Sequence, residues 1–207
     1  WNTFLGGNGS FDHATAITVD GSGNTFVTGF SNATWGTPVT AYGGGDFDAF
    51  VAKVDTSGVL QWNTFAGGSG IDAAYGIVLD SSGNSYIAGN SNTTWGTPVR
   101  AYSSAEDGFI AKLSSTGSLT WNTFVGGTGN DRADDLAIDA SNNVYGAGYS
   151  NATWGSAVRS YSSGQDAIAF KLDSSGALTW NTFLGGSGTD YLGKIAIDSS
   201  GNSYLSG

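Results

Sequence analysis

The chain contains no cysteine and no methionine, and it has only 2 prolines and 1 histidine among its 207 residues. The lack of cysteine excludes disulfide bonds and thiolate metal sites, although it leaves the cellular compartment open. Because position 1 is not methionine, we expect that the chain begins after processing or is an excerpt of a longer protein. No apolar run reaches the roughly 18–20 residues of a membrane-spanning helix, so membrane insertion is not expected.

Basic residues are scarce as well: 7 Lys and Arg stand against 17 Asp and Glu, and the formal net charge is −10. These basic residues are scattered, which argues against nucleic-acid partners and anionic membrane surfaces. Glycine is abundant, at 34 residues, and aromatic residues make up 13%. Frequent glycine with many aromatics and few charges predicts strands joined by tight turns rather than disorder.

One unit of about 60 residues is repeated in tandem along the chain. The sequence Trp-Asn-Thr-Phe begins at Trp1, Trp62, Trp121 and Trp180, at spacings of 61, 59 and 59 residues. The sequence Ser-Asn-x-Thr-Trp-Gly keeps the same step, at 31–36, 91–96 and 150–155. A fixed period is the signature of a repeat architecture, and a two-sheet sandwich does not explain it.

Each repeat is predicted to contain four short strands, which in the second repeat fall at about 75–79, 85–89, 108–113 and 118–124. A cluster of Ser, Gly and Asn that begins with Asp80 separates the first two strands and is typical of a hairpin turn. Four strands per period are the content of one propeller blade, so we predict an all-β β-propeller. A solenoid is the rival, but its repeats are usually shorter, at roughly 20–45 residues.

Three segments, 48–58, 184–190 and 195–207, resemble the SBBP-type β-propeller repeat of prokaryotic surface and secreted proteins. The resemblance extends over essentially the whole chain. It implies a propeller fold, an extracellular or cell-surface location, and often a role as one module of a large protein. It supplies no catalytic motif.

The repeats divide a single partial propeller, residues 1–207, into blades at about 6–65, 67–124 and 126–183 and an incomplete blade at 185–207. Residues 1–5 are predicted to be the closing strand of a preceding blade. About three and a half blades do not close a ring, and natural β proteins avoid open edges. Three explanations stay open: an excerpt of a larger propeller, copies that complete one another as an oligomer or filament, and a strained four-bladed monomer.

The long loop of each repeat begins with an Asn-x-Thr sequon, at Asn32, Asn92 and Asn151. These residues are predicted glycosylation sites on exposed loops. The alternative is coincidence, since a repeat copies any tripeptide that it contains.

The same loops carry Trp35, Trp95 and Trp154. Repeated loop aromatics suit a multivalent lectin-like surface in which each ring stacks on a sugar and weak sites gain from avidity. The alternative interpretation is that each Trp plugs its loop onto its own blade.

The pattern Gly-Gly-x-Gly-x-Asp occurs at 67–72, 126–131 and 185–190, where it ends in Asp72, Asp131 and Asp190. It matches part of the calcium-binding nonapeptide, but copies 59 residues apart cannot share ions as adjacent nonapeptides do. The alternative is a turn in which each Asp accepts backbone N–H hydrogen bonds. No cofactor is expected, and Ca²⁺ is the single candidate that the acidic composition favours.

Residues that break the repeat would reveal a catalytic site. His13 follows Asp12 directly, but sequence adjacency does not make a triad. Asp134 and Asp135 are neighbours and would point to opposite sides of a strand. We therefore predict a non-enzymatic structural or adhesive module, whose partners are further blades, copies of itself or glycans. A carbohydrate-binding propeller and a secreted hydrolase or lyase are the alternatives.

Overall fold

A computed structural model describes residues 1–207, and its regular secondary structure consists of strands alone. Unit 1 contains β1 (Asp12–Val19), β2 (Thr25–Ser31), β3 (Asp48–Val54) and β4 (Leu60–Ala66). Unit 2 contains β5 (Asp72–Leu79), β6 (Ser85–Ser91), β7 (Asp107–Leu113) and β8 (Leu119–Val125). Unit 3 contains β9 (Asp131–Ile138), β10 (Val144–Ser150), β11 (Asp166–Leu172) and β12 (Leu178–Leu184). Unit 4 is the hairpin of β13 (Lys194–Ile197) and β14 (Ser203–Ser206).

Units 1 to 3 are antiparallel four-stranded sheets in which the strands follow chain order. This pattern confirms the all-β prediction and the four strands predicted for each repeat. No helix in the structure has the length and apolar character needed to cross a membrane.

The predicted turn between the first two strands is confirmed by its hydrogen bonds. In unit 2, Asp80 Oδ1 accepts from the backbone N–H groups of Ser82 (2.9 Å) and Asn84 (3.0 Å). Gly83 takes a φ of 77°, which is unfavourable for residues with a Cβ. Burial raises the pKa of Asp80, but the hydrogen bonds from Asn84 and Ser82 and the charge of Lys112 bring it below its ordinary value. The carboxylate is therefore a fixed part of the hairpin.

The first strand of units 1 to 3 contains a bulge, and in unit 2 it is longer than predicted. In unit 2 the strand begins at Asp72, and the register with β6 shifts between Ala74 and Gly76. Opposite the bulge lies Gly89, where an added Cβ would stand 1.9 Å from the carbonyl oxygen of Ala73. Gly29 and Gly148 occupy the same position in units 1 and 3. Glycine therefore permits the close approach of the first two strands.

Consecutive units pack on one another through their first strands, because β1 contacts β5, β5 contacts β9, and β9 contacts β13. One apolar cluster joins Phe26 and Val51 of unit 1 with Ile77 and Phe109 of unit 2. A second cluster joins units 2 and 3 in the same way. Unit 4 makes no extensive contact with unit 1. The core is thus a series of layers between neighbouring sheets, which is consistent with a propeller-like repeat fold.

Residues 1–5 form no regular strand within units 1 to 4, and their pairing with a preceding blade stays a prediction. A fourth strand pairs with the third strand of its own unit, and the three third strands are already paired with β4, β8 and β12. The segment instead lies along the outer face of unit 1, where Leu5 packs on Val27 and Phe50 and their neighbours. Its sequence matches that of a fourth strand, but none of these third strands is free to pair with it.

Candidate functional site

No hydrogen bond joins the side chains of His13 and Asp12. The Asp12 carboxylate accepts from the Gly7 N–H (3.0 Å) and from the hydroxyls of Ser10 and Ser31. The imidazole of His13 lies edge-on to the ring of Phe30, with centroids 5.1 Å apart. The carboxylate therefore orders the loop that precedes β1, and the imidazole belongs to an exposed aromatic group.

The other residues that break the repeat hold neighbouring units together. Arg132 pairs with Asp134, and its guanidinium lies 4.3 Å from the ring centroid of Tyr75 in unit 2. Asp135 accepts from the backbone N–H of Ile195 in unit 4 (3.1 Å). Burial raises the pKa of Asp134, against the hydrogen bond and charge of Arg132. Each carboxylate thus has a structural partner across or beside a contact between units.

The loop tryptophans lie inside the protein, as their interpretation as plugs requires. Trp35, Trp95 and Trp154 are only 4–6% exposed. Trp95 stands edge-on to Phe109, at 5.2 Å, and its carbonyl oxygen accepts from the buried side-chain amide of Asn122 (2.9 Å). A sugar ring needs an exposed aromatic face, and these three rings do not supply one. The plug interpretation therefore agrees with the geometry, and the sugar-stacking hypothesis does not.

The sequon residues Asn32, Asn92 and Asn151 are exposed. Two of them also accept a hydrogen bond from the residue that directly precedes the first strand of their own unit. Asn32 Oδ1 accepts from the Phe11 N–H and Asn92 Oδ1 from the Ile71 N–H, both at 2.8 Å. The side-chain oxygen is engaged in these two residues, whereas the side-chain nitrogen, to which a glycan would attach, makes no hydrogen bond there. Sequence analysis missed this structural role of the sequon.

A pair of aspartates lies at each contact between consecutive units, and we call these the junction pairs. One member begins the third strand of a unit, and the other ends the Gly-Gly-x-Gly-x-Asp pattern that follows it. The junction pairs are Asp48 with Asp72, Asp107 with Asp131, and Asp166 with Asp190. The sequence signal is a constant spacing of 24 residues, which the Gly-Gly-x-Gly-x-Asp pattern alone does not contain.

The second member of each junction pair accepts backbone hydrogen bonds, as the turn interpretation of this pattern predicts. The N–H donors are Gly68 for Asp72 (2.8 Å), Gly127 for Asp131 (2.7 Å) and Gly186 for Asp190 (2.9 Å). Burial raises the pKa of Asp72 and of Asp131 to about 6, against these hydrogen bonds. No group of three or more His, Cys, Asp or Glu side chains converges to hold a metal ion.

The outer face of unit 1 is an exposed apolar surface, which we call the unit-1 face. Ile17 is 67% exposed there, whereas its equivalents Ile77, Leu136 and Ile195 are 2–8% exposed because the preceding unit covers them. An open cleft of about 540 Å³ on this face is lined by Trp1, Phe4 and Ile17, among others. Sequence analysis did not single out Ile17, since the repeat makes it look like a core position.

The outer face of unit 4 shows the converse exposure, and we call it the unit-4 face. Tyr204 is 61% exposed there. Its equivalents Phe26, Tyr86 and Tyr145 are 0–4% exposed, because the following unit covers them. The unit-1 face therefore carries the apolar residue that each unit buries against the preceding unit. The unit-4 face carries the aromatic residue that each unit buries against the following unit.

The structure defines a class of protein, the tandem β-sheet repeats in which four antiparallel strands form each unit. Residues 61–94 match the SBBP family model, described as a beta-propeller repeat. The SBBP repeat is thus shown for this segment, which runs from β4 to the loop after β6, and the other units have the same strands and turns.

None of the curated proteins matches the chain. Among solved structures, the chain resembles one titled "Crystal structure of a protein of unknown function from Bacteroides caccae at 1.35 A resolution". The two share 11% identity at a TM-score of 0.49, over 96% of this chain and 54% of the other. The chain therefore spans about half the length of that structure.

Proposed function

We propose that the chain is a non-enzymatic module of an extracellular or cell-surface β-propeller, with a structural role in assembly. Its unit-1 and unit-4 faces receive further units of the same repeat. The observation that carries the proposal is the exposure of Ile17 and Tyr204 at positions that every internal contact buries. Burial of a large apolar side chain contributes about 1.5–3 kcal/mol, so a matching unit is a favourable occupant.

The chemistry of the remaining surface supports a structural rather than a catalytic role. The acidic side chains that break the repeat already have partners inside the protein. Asp134 forms an ion pair with Arg132, and Asp135 accepts a hydrogen bond from the backbone N–H of Ile195. The extracellular location rests on the SBBP resemblance and on the exposed sequons.

The isolated chain is expected to self-associate head to tail, with the unit-4 face of one copy on the unit-1 face of the next. Contacts between different faces give a closed ring of copies when the rotation from copy to copy closes, and an open filament when it does not. The measurement is sedimentation velocity over a range of concentrations. Replacing Ile17 with Asp should weaken association by at least about tenfold, because the contact would then bury an unpaired carboxylate.

Val158→Asp is the matched control, because Val158 is 79% exposed and belongs to the long loop of unit 3, not to unit 1 or unit 4. This variant makes the same chemical change and should leave association unaltered. A monomer that persists at every concentration, or equal effects of the two substitutions, would argue against the proposal.

Secretion through a glycosylating eukaryotic route is expected to add glycans at Asn32, Asn92 and Asn151, because their side chains are exposed. Intact mass spectrometry checks this prediction. Thr34→Ala removes one sequon but keeps the hydrogen bond between Asn32 and Phe11, so it should lower the glycan count by one without changing the thermal midpoint. A secreted protein with its unmodified mass would refute the glycosylation part of the proposal.

A further inference from the structure

The three junction pairs differ in the donors that surround them. In unit 2, the hydroxyl of Ser103 donates to Asp107 Oδ1 (2.7 Å) and contacts the Gly127 carbonyl oxygen. The guanidinium of Arg100 donates to the carbonyl oxygens of Phe124 (2.9 Å) and Gly126 (2.7 Å). Unit 3 repeats this arrangement with Ser162 and Arg159. These two junctions therefore contain their own positive charge and hydroxyl donor.

The junction between units 1 and 2 has neither of these donors. Thr40 stands where the other units have arginine, and Gly43 stands where they have serine. Asp48 keeps one hydrogen bond, from the Gly43 N–H to Oδ2. Its Oδ1 atom has no hydrogen-bond partner, although Asp48 is 0% exposed. A fully buried and unpaired carboxylate oxygen is costly, so this site lacks a positive or donating group.

Oxygen atoms converge on the space that the missing serine side chain leaves. The point that a Cβ on Gly43 would occupy lies 3.0 Å from the Gly68 carbonyl oxygen, 3.1 Å from that of Gly67 and 3.2 Å from Asp48 Oδ2. Asp72 adds a second carboxylate close by. A Cβ added to Gly67 would lie 2.7 Å from Asp72 Oδ2 and 3.0 Å from Asp48 Oδ1, so both oxygens face this residue. The surroundings are oxygen-rich and anionic.

The missing donors leave the carboxylates of this junction without a cationic partner. Neither Asp48 nor Asp72 forms a salt bridge. Two neighbouring carboxylates with no cation beside them repel each other.

A hard cation is the kind of partner that a buried carboxylate beside carbonyl oxygens attracts. Ca²⁺ takes 6–8 oxygen ligands at about 2.3–2.6 Å and accepts irregular geometry, whereas Mg²⁺ requires a near-ideal octahedron and gives up its waters reluctantly. Gly43 itself is exposed, so water molecules have access to complete the coordination.

We propose that the junction between units 1 and 2 binds Ca²⁺ through the Asp48 carboxylate and the carbonyl oxygens of Gly67 and Gly68, with Asp72 as the neighbouring charge. The cation takes the place of the arginine and serine donors of the other two junctions. The site would fasten unit 1 to unit 2, and it does not depend on the proposed role in assembly.

The test compares thermal unfolding at about pH 8 in EDTA and in about 10 mM CaCl₂, with MgCl₂ at equal ionic strength. For an extracellular-type affinity near 1 mM, Ca²⁺ should raise the midpoint by about 3–6 °C. Calorimetric titration with CaCl₂ should give one site per chain. An equal shift with MgCl₂ would show general screening of the −10 net charge instead, and would overturn the proposal.

Gly43→Ser and the double variant Thr40→Arg/Gly43→Ser are the matched controls. Both give unit 1 the residues that units 2 and 3 already hold, so the fold should tolerate them, and Gly43→Ser leaves the net charge unchanged. We expect the Ca²⁺ shift to fall in Gly43→Ser and to vanish in the double variant, which should equal or exceed the wild-type midpoint in EDTA. A Ca²⁺ shift that survives the double variant, or no shift in the wild-type chain, would refute the site.

Discussion

Replacing Gly89 with Ala is expected to lower the free energy of unfolding by about 3 kcal/mol or more. The added Cβ would stand 1.9 Å from the carbonyl oxygen of Ala73 and 2.9 Å from the α-carbon of Ala74. Both neighbours are backbone atoms, so no side-chain rotation relieves the clash, and the pairing of β5 with β6 has to open. Chemical denaturation followed by tryptophan fluorescence measures the loss.

Gly21→Ala is the control for this substitution. Gly21 lies in the turn between β1 and β2, and a Cβ there meets no atom within 4 Å. We expect a change within about 0.5 kcal/mol, as for ordinary surface positions. Equal effects of the two substitutions would mean that the loss arises from chain entropy rather than from the close approach at the bulge.

Replacing Phe109 with Ala is expected to cost about 3–5 kcal/mol, the usual range for removing a buried aromatic side chain. Phe109 is 0% exposed and lies in the apolar cluster that joins units 1 and 2. Its ring also packs against the buried tryptophan of the long loop, since Trp95 stands edge-on to it with the ring centroids 5.2 Å apart. The substitution therefore weakens the core of unit 2, its contact with unit 1 and the anchoring of its long loop.

Phe4→Ala provides the comparison, because Phe4 is 94% exposed on the unit-1 face. At concentrations too low for self-association, this change should alter the unfolding free energy by less than about 0.5 kcal/mol. Similar losses at both positions would contradict the assignment of Phe109 to the core. The measurement is again chemical denaturation.

The sequence predicts the strands well because each unit repeats the same local signals. The turn at Asp80 is an example: the Asp side chain, the glycine with positive φ and the flanking apolar runs are all readable from one unit. The bulge at Tyr75 is not readable in this way, because it depends on the approach of Ala73 to Gly89 in another strand.

The candidate sites were less predictable because their character depends on neighbouring units. The sequence leaves both interpretations of Trp95 open, and only the packing against Phe109 distinguishes a plug from a binding surface. Similarly, Thr40 and Gly43 look like ordinary loop residues until the junction shows which donors they replace. Residues 1–5 have the sequence of a strand but lack a strand to pair with.

The links between units are strictly local along the chain. At each junction the second Asp donates its backbone N–H across to the preceding unit, as Asp72 does to the Phe47 carbonyl oxygen (2.7 Å), and the strand contacts join neighbours only. Such an array behaves as a one-dimensional cooperative system, in which each unit contributes an intrinsic free energy and each contact a coupling energy. An interior unit has two couplings and a terminal unit has one. Every unit added to either face therefore contributes another coupling, and the former terminal unit becomes as firmly held as the interior ones.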